Sequence, residues 1–294
     1  MTFASVFPPM PTPFASGEVD TRAIAHNIDR WLRAGLGGIV ALGSNGEAPF
    51  LDETESDRVI DAARGSVPRD RVLIAGTGRE STRATIDATR RAAALGADAA
   101  LVRTPSFFKA RMTPDAFVRH YTAVADVSPI PVLLYNFPAV TGVNLLPDTV
   151  ARLAEHPNIA GMKESGSDMA QIGALIHGAP EGFAIMAGAA PAFYPSLCIG
   201  ARGAILALAC VAPGQCMRVF DATMAGRHAE ALEIQTRIMP LARLVTAVHG
   251  VPGLKAALDL SGYIGGEPRL PLAPVNRAAL NQIRAELARA QEAV

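Results

Sequence analysis

Short apolar runs alternate with segments of helical character from one end of the chain to the other. The runs fall at positions 3–10, 37–42, 71–76, 99–102, 131–135, 159–163, 183–186 and 203–208. They are continuous rather than alternating in hydrophobicity, as expected of strands buried on both faces of a parallel sheet. The helices between them have legible ends. Asp52 is placed to cap a helix running to about position 64, Ser81 caps one that Gly96 ends, and Thr113 with Pro114 opens another with proline at its first position. Further helices are predicted at 146–155, 168–177, 192–199 and 214–225. Eight strand–helix units with a repeat of roughly 25–30 residues predict an α/β fold, a (β/α)8 TIM barrel over 1–227 that carries the active site. A doubly wound open sheet is the alternative. Positions 228–294 read as a C-terminal helical extension, and no break in composition marks a linker.

A barrel of this kind gathers functional residues at the C-terminal ends of its strands. Lys163 ends the sixth apolar run and Tyr135 the fifth, Gly43-Ser44-Asn45-Gly46-Glu47 follows the second, and Ala187-Gly188-Ala189 follows the seventh. The chain has only three lysines, Lys109, Lys163 and Lys255, among 27 basic residues. A lysine kept at the end of a buried strand can do what arginine cannot: lose its proton in apolar surroundings and attack a carbonyl. The bland alternative is a buried lysine paired with Glu164. An imine on Lys163 would act as an electron sink for making or breaking an adjacent carbon–carbon bond, with Tyr135 on the neighbouring strand as proton shuttle; the bland role for Tyr135 is packing beneath Pro138. Ser44 and Asn45 offer donors suited to a substrate carboxylate, unless the segment is an ordinary Asn-Gly turn. Glu47 could pair with Lys163 but is expected to cap the following helix, and Ser165 could bind substrate or satisfy backbone at the strand end.

Composition narrows the field. The formal net charge is zero and half of the residues are hydrophobic, which argues for a sizeable core and against nucleic acid or a membrane surface as partner. No apolar stretch approaches the ~18 residues of a membrane span. The start of the chain has no basic region followed by an apolar one, so no signal peptide is expected. Cys198, Cys210 and Cys216 show no paired spacing and suggest reduced thiols in a cytoplasmic protein, while six scattered histidines give no indication of a metal.

Taken together, Gly43-Ser44-Asn45-Gly46-Glu47, Tyr135-Asn136-Phe137-Pro138 with Thr141-Gly142, and Gly161-Met162-Lys163-Glu164-Ser165 resemble the dihydrodipicolinate synthase/N-acetylneuraminate lyase family. The similarity spans nearly the whole chain, including Gly250-Val251-Pro252-Gly253-Leu254-Lys255 and Arg269-Leu270-Pro271-Leu272. The resemblance implies a pyruvate-dependent class I aldolase on a (β/α)8 barrel, acting on a small 2-oxo acid as a homotetramer built as a dimer of dimers, with no metal or organic cofactor beyond the covalent imine. It implies Lys163 as the imine-forming residue, Tyr135 as proton shuttle, Ser44 and Asn45 on the pyruvyl carboxylate, Ser165 facing the second carbonyl fragment, and Gly188 and Ile205 lining the pyruvyl pocket. Within the family the chain looks most like the 4-hydroxy-2-oxoglutarate aldolases, through Ser44-Asn45, Pro49-Phe50-Leu51, Ser128-Pro129-Ile130-Pro131 and His156-Pro157-Asn158-Ile159. Dihydrodipicolinate synthases carry an arginine where this chain has Val140, and the family often has a tyrosine, reaching into a neighbouring subunit, where this chain has Phe107. The readings left open are cleavage of 4-hydroxy-2-oxoglutarate, cleavage of 2-keto-3-deoxy sugar acids, condensation of pyruvate with aspartate semialdehyde, and a pyruvate sensor that forms the imine without turnover.

Overall fold

The computed structural model describes residues 3–291. Its main sheet has eight parallel strands: β1 (Val6–Phe7), β2 (Gly38–Ala41), β3 (Val72–Gly76), β4 (Ala99–Arg103), β5 (Val132–Asn136), β6 (Ile159–Glu164), β7 (Ala184–Ala187) and β8 (Gly203–Ile205). Each pairs with its sequence neighbour from β2 to β8, and β8 pairs with β1. The last seam is closed by backbone hydrogen bonds from Gly37 to Val6, from Val40 to Pro8 and from Met10 to Val40, at 3.0–3.1 Å. The sheet is therefore a barrel and not the open alternative. The first strand is shorter than the apolar run at 3–10 because Pro8 and Pro9 have no N–H to donate to a ladder.

A helix follows each strand: α1 (Thr21–Arg33), α2 (Glu53–Ser66), α3 (Thr82–Ala94), α4 (Pro114–Val127), α5 (Pro147–Ala154), α6 (Met169–Gly178), α7 (Phe193–Cys198) and α8 (Pro213–Met224). The expected caps are in place. The Asp52 side chain accepts from the Glu55 N–H while Glu55 returns the bond to the Asp52 N–H, a reciprocal box that satisfies two otherwise orphaned donors. Ser81 and Thr113 accept from Ala84 and Ala116 in the same manner. Between β1 and α1, Phe14–Ala15 and Glu18–Val19 form a small antiparallel hairpin absent from the sequence reading. Two-residue strands carry too little periodicity to be read.

Strand side chains alternate between two cores. Phe7, Val40, Ile74, Leu101, Leu133, Tyr135, Met186 and Ile205 fill the barrel interior. Ala100, Val102, Val132, Leu134, Met162 and Ile185 face outward against the helices. Both faces are apolar, which is why the runs read as continuous. Beyond the eighth unit lie α9 (His228–Arg243), one π-helical stretch (Leu244–Val248), α10 (Gly250–Leu260) and α11 (Arg277–Gln291). The extension was expected to run to position 294, and its last three residues lie outside the described ones. α9 packs on α8, and α11 on α9 and α10. No helix among the described residues is long and apolar enough to cross a membrane.

Candidate active site at the barrel mouth

Parallel register sets the site. Arg103 on β4 pairs with Tyr135 on β5, Tyr135 with Lys163 on β6, and Lys163 with Met186 on β7. Residues paired in this way sit at one height and point to one side, here into the barrel near the C-terminal ends of its strands. Lys163 is only 4% exposed, and its Nζ lies 4.3 Å from the centroid of the Tyr135 ring. The Tyr135 hydroxyl is 3.0 Å from Ser44 Oγ, so one tyrosine links the buried amine to the turn after β2. Its ring also stacks on Phe137 at 6.0 Å.

Glu164 does not pair with Lys163. The two are consecutive in a strand and face opposite sides. Glu164 is buried on the outer side, where Asn136 Nδ2 donates to it at 2.8 Å, Gln171 Nε2 at 3.2 Å and the Gly166 N–H completes the set. Burial pushes its carboxyl above the ordinary range against the pull of those donors. Asn136 also donates to Asn144 and accepts from the Leu145 N–H. This outer network fixes the backs of β5 and β6 exactly where their inner faces carry Tyr135 and Lys163.

Glu47 behaves differently from the sequence reading. It does not cap α2, which Asp52 does, and among the described residues its ion pair is with Lys255 rather than Lys163. It adopts a left-handed backbone at φ +55° and forms a buried ion pair with Lys255 at 2.5 Å, while its other oxygen accepts from the Arg269 N–H at 2.8 Å. Thr12 Oγ1 donates to the Gly46 carbonyl at 2.7 Å. These ties hold the short helical turn Ser44–Gly46 and aim Ser44 inward. Asn45 is half-buried in the same turn, but it does not line the cavity described below.

Ser165 and Gly188 come together on the far side of Lys163. The Ser165 hydroxyl is buried with no hydrogen-bond partner among the described residues, an arrangement suited to a group that meets substrate. A Cβ at Gly188 would fall 2.2 Å from that hydroxyl and 2.8 Å from the Glu164 carbonyl, so only glycine fits. Ile205 is fully buried in the interior core with Tyr135. A cavity of about 180 Å3 opens at the mouth, lined in part by Ser44, Arg103, Ser106, Tyr135, Val140 and Thr141. Lys163 packs on the Tyr135 ring, the side chain that it shares with this cavity. Arg103 was not anticipated, although a charged residue closing an apolar strand is the same signal that drew attention to Lys163. Phe107 is 77% exposed and packs edge-on against Phe108. Among the described residues no group of three His, Cys, Asp or Glu could hold a metal.

A buried lysine on β6 of a (β/α)8 barrel, flanked by a tyrosine hydrogen-bonded to a serine, defines a class I carbon–carbon lyase, which acts through a lysine imine. The chain belongs to the dihydrodipicolinate synthetase family, which it matches over residues 2–290, and it is accordingly a pyruvate-dependent enzyme of that class. It is 37% identical to a 4-hydroxy-tetrahydrodipicolinate synthase of Exiguobacterium sp. over 94% of each chain. It superposes on the chloride-inhibited dihydrodipicolinate synthase of Acinetobacter baumannii complexed with pyruvate, with TM-score 0.92, 32% identity and coverage of 98% of this chain and 99% of that one. A monomeric dihydrodipicolinate synthase variant gives TM-score 0.94 at 30% identity, covering 98% of this chain and 96% of that one. These relatives carry the name of the synthase, not of the 4-hydroxy-2-oxoglutarate aldolases that the sequence motifs resemble.

Proposed function

We propose that this protein cleaves 4-hydroxy-2-oxoglutarate to pyruvate and glyoxylate. The observation that carries the chemistry is the contact of Lys163 Nζ with the Tyr135 ring together with the Tyr135–Ser44 hydrogen bond. Lys163 adds to the C2 carbonyl and water leaves, giving an iminium. The C4 hydroxyl gives up its proton to the Tyr135–Ser44 pair, the C3–C4 bond breaks, and glyoxylate departs. The electron pair of that bond moves into the enamine. The proton then returns at C3, and hydrolysis frees pyruvate and Lys163. Ser44 and Asn45 are assigned to the pyruvyl carboxylate, Ser165 to the departing fragment, and Gly188 and Ile205 to the pyruvyl pocket.

Val140, an exposed apolar residue on the cavity wall, stands where dihydrodipicolinate synthases carry an arginine, and that departure supports the aldolase reading. The names of the curated relatives favour a second reading, condensation of pyruvate with aspartate semialdehyde. The unpaired Cys198, Cys210 and Cys216 support a cytoplasmic setting. The exposed Phe107, Phe108 and Leu270 support burial against a second subunit, in keeping with a homotetramer.

The test is pyruvate release from 4-hydroxy-2-oxoglutarate, beside condensation of pyruvate with aspartate semialdehyde, for the wild type and Lys163→Ala. Cleavage by the wild type and its loss in the mutant are expected. Condensation without cleavage would establish the second reading in place of the first.

A further inference from the structure

Arg103 is the one charged side chain lining the mouth cavity among the described residues. It ends β4 in the same register row as Tyr135 and Lys163. Two strand spacings, about 10 Å, separate the Arg103 and Lys163 backbones. Lys163 Nζ lies against the ring of Tyr135, the strand neighbour between them, which shortens that interval.

The guanidinium is held and only partly used. Nη1 donates to Glu80 Oε1 at 2.7 Å and to the Thr104 carbonyl at 3.4 Å. Nε and Nη2 make no hydrogen bond among the described residues, so one edge of the planar fork remains available for a carboxylate. Glu80 is itself anchored, since its second oxygen accepts from the Ser106 and Phe107 N–H groups at 2.8 Å each. The loop after β3 makes room for the arginine. A Cβ at Gly78 would lie 2.6 Å from the Arg103 nitrogen and 2.8 Å from its Cγ. Glycine at this position is thus a condition for the side chain to lie where it does.

Resting on the aldolase reading above, we propose that Arg103 binds the substrate carboxylate remote from the imine carbon, and so selects 2-oxo diacids over 2-oxo monoacids. The assignment moves the charge that recognises the second fragment from the Val140 wall to β4. It applies to the diacid chain whether the enzyme cleaves or condenses.

The experiment compares two five-carbon ligands that can each form an imine through C2: 2-oxoglutarate, which carries a remote carboxylate, and 2-oxopentanoate, which does not. Borohydride reduction traps each on Lys163, and the half-saturating concentration of trapping is read for the wild type, Arg103→Gln and Arg103→Lys. In Arg103→Gln the value for 2-oxoglutarate should rise roughly 10- to 100-fold, the worth of a charge-assisted contact, with 2-oxopentanoate unchanged. Arg103→Lys should recover part of the preference. Equal losses for both ligands, or no loss for either, would overturn the assignment while leaving the imine chemistry intact. Failure of the wild type to trap pyruvate or either ligand would overturn the aldolase reading and this assignment with it.

Discussion

Tyr135 makes two contacts at once: its ring lies against the amine of Lys163, and its hydroxyl reaches Ser44 at 3.0 Å. Replacing it with phenylalanine keeps the first and removes the second. Tyr135→Phe should therefore lower kcat by about 10²–10⁴, the usual worth of a positioned proton shuttle, while borohydride still traps pyruvate on Lys163. Steady-state rates beside trapping yield would separate the two effects, and loss of trapping would mean that the hydroxyl is needed to form the imine. Lys163 and Tyr135 could be singled out in the sequence because each closes an apolar run with a residue that an apolar run does not need. Arg103 closes its run in the same way but lies one residue past the stretch read as strand. The partner of Glu47 was misjudged for another reason. Asp52 already supplies the cap that Glu47 was expected to give, which leaves Glu47 for a residue 208 positions distant that no local pattern announces.

Among the elements, the strand–helix alternation was readable because a barrel strand is apolar on both faces and its helix begins with a polar cap. Ends were less legible where two structures share one composition. The run at 203–208 passes from β8 into the 3-10 turn Ala207–Cys210 with no change of hydrophobicity. Contacts between helices were not legible at all, and one of them makes stability depend on pH. His120 on α4 is buried against α3, where Nδ1 lies 2.9 Å from Thr82 Oγ1 and Nε2 has no partner among the described residues. Burial lowers its pKa from 6.5 to about 4, despite the attraction of Glu80. Between those values the unfolded chain takes up a proton that the native protein refuses. This contribution to stability is therefore constant above pH 6.5, falls as pH drops from 6.5 towards 4, and levels off below. The loss is on the order of 3 kcal/mol at most. His120→Phe should flatten this part of the pH dependence in urea unfolding midpoints, and an unchanged slope would assign the dependence to other groups.

Across the whole molecule, the turn that presents Ser44 is fastened by residues of the C-terminal segment. Lys255 and Glu47 form an ion pair in which both side chains are 1% exposed. Lys255 also donates to the Glu267 carbonyl at 2.9 Å and lies over the Phe14 ring. Arg269 covers the same ring, grips Glu55 with two nitrogens at 2.6 and 2.7 Å, and donates to the Phe50 and Gly17 carbonyls. Lys255→Met leaves a carboxylate buried without its cation and should cost about 3–5 kcal/mol in denaturant unfolding. Adding Glu47→Gln should recover much of that loss, and simple additivity of the two changes would deny the coupling. The fastening also bears on the order in which the enzyme is made. The glutamate of the turn leaves the ribosome 222 residues ahead of the arginine whose N–H it accepts. A nascent chain can pair β2 with β3 long before that arginine exists, while the loop carrying Ser44 is tied by Thr12 but not yet by Lys255 or Arg269. The full fastening of that turn therefore arrives late in synthesis, after all eight strands have been translated, and an interrupted product with a full set of barrel strands would lack it.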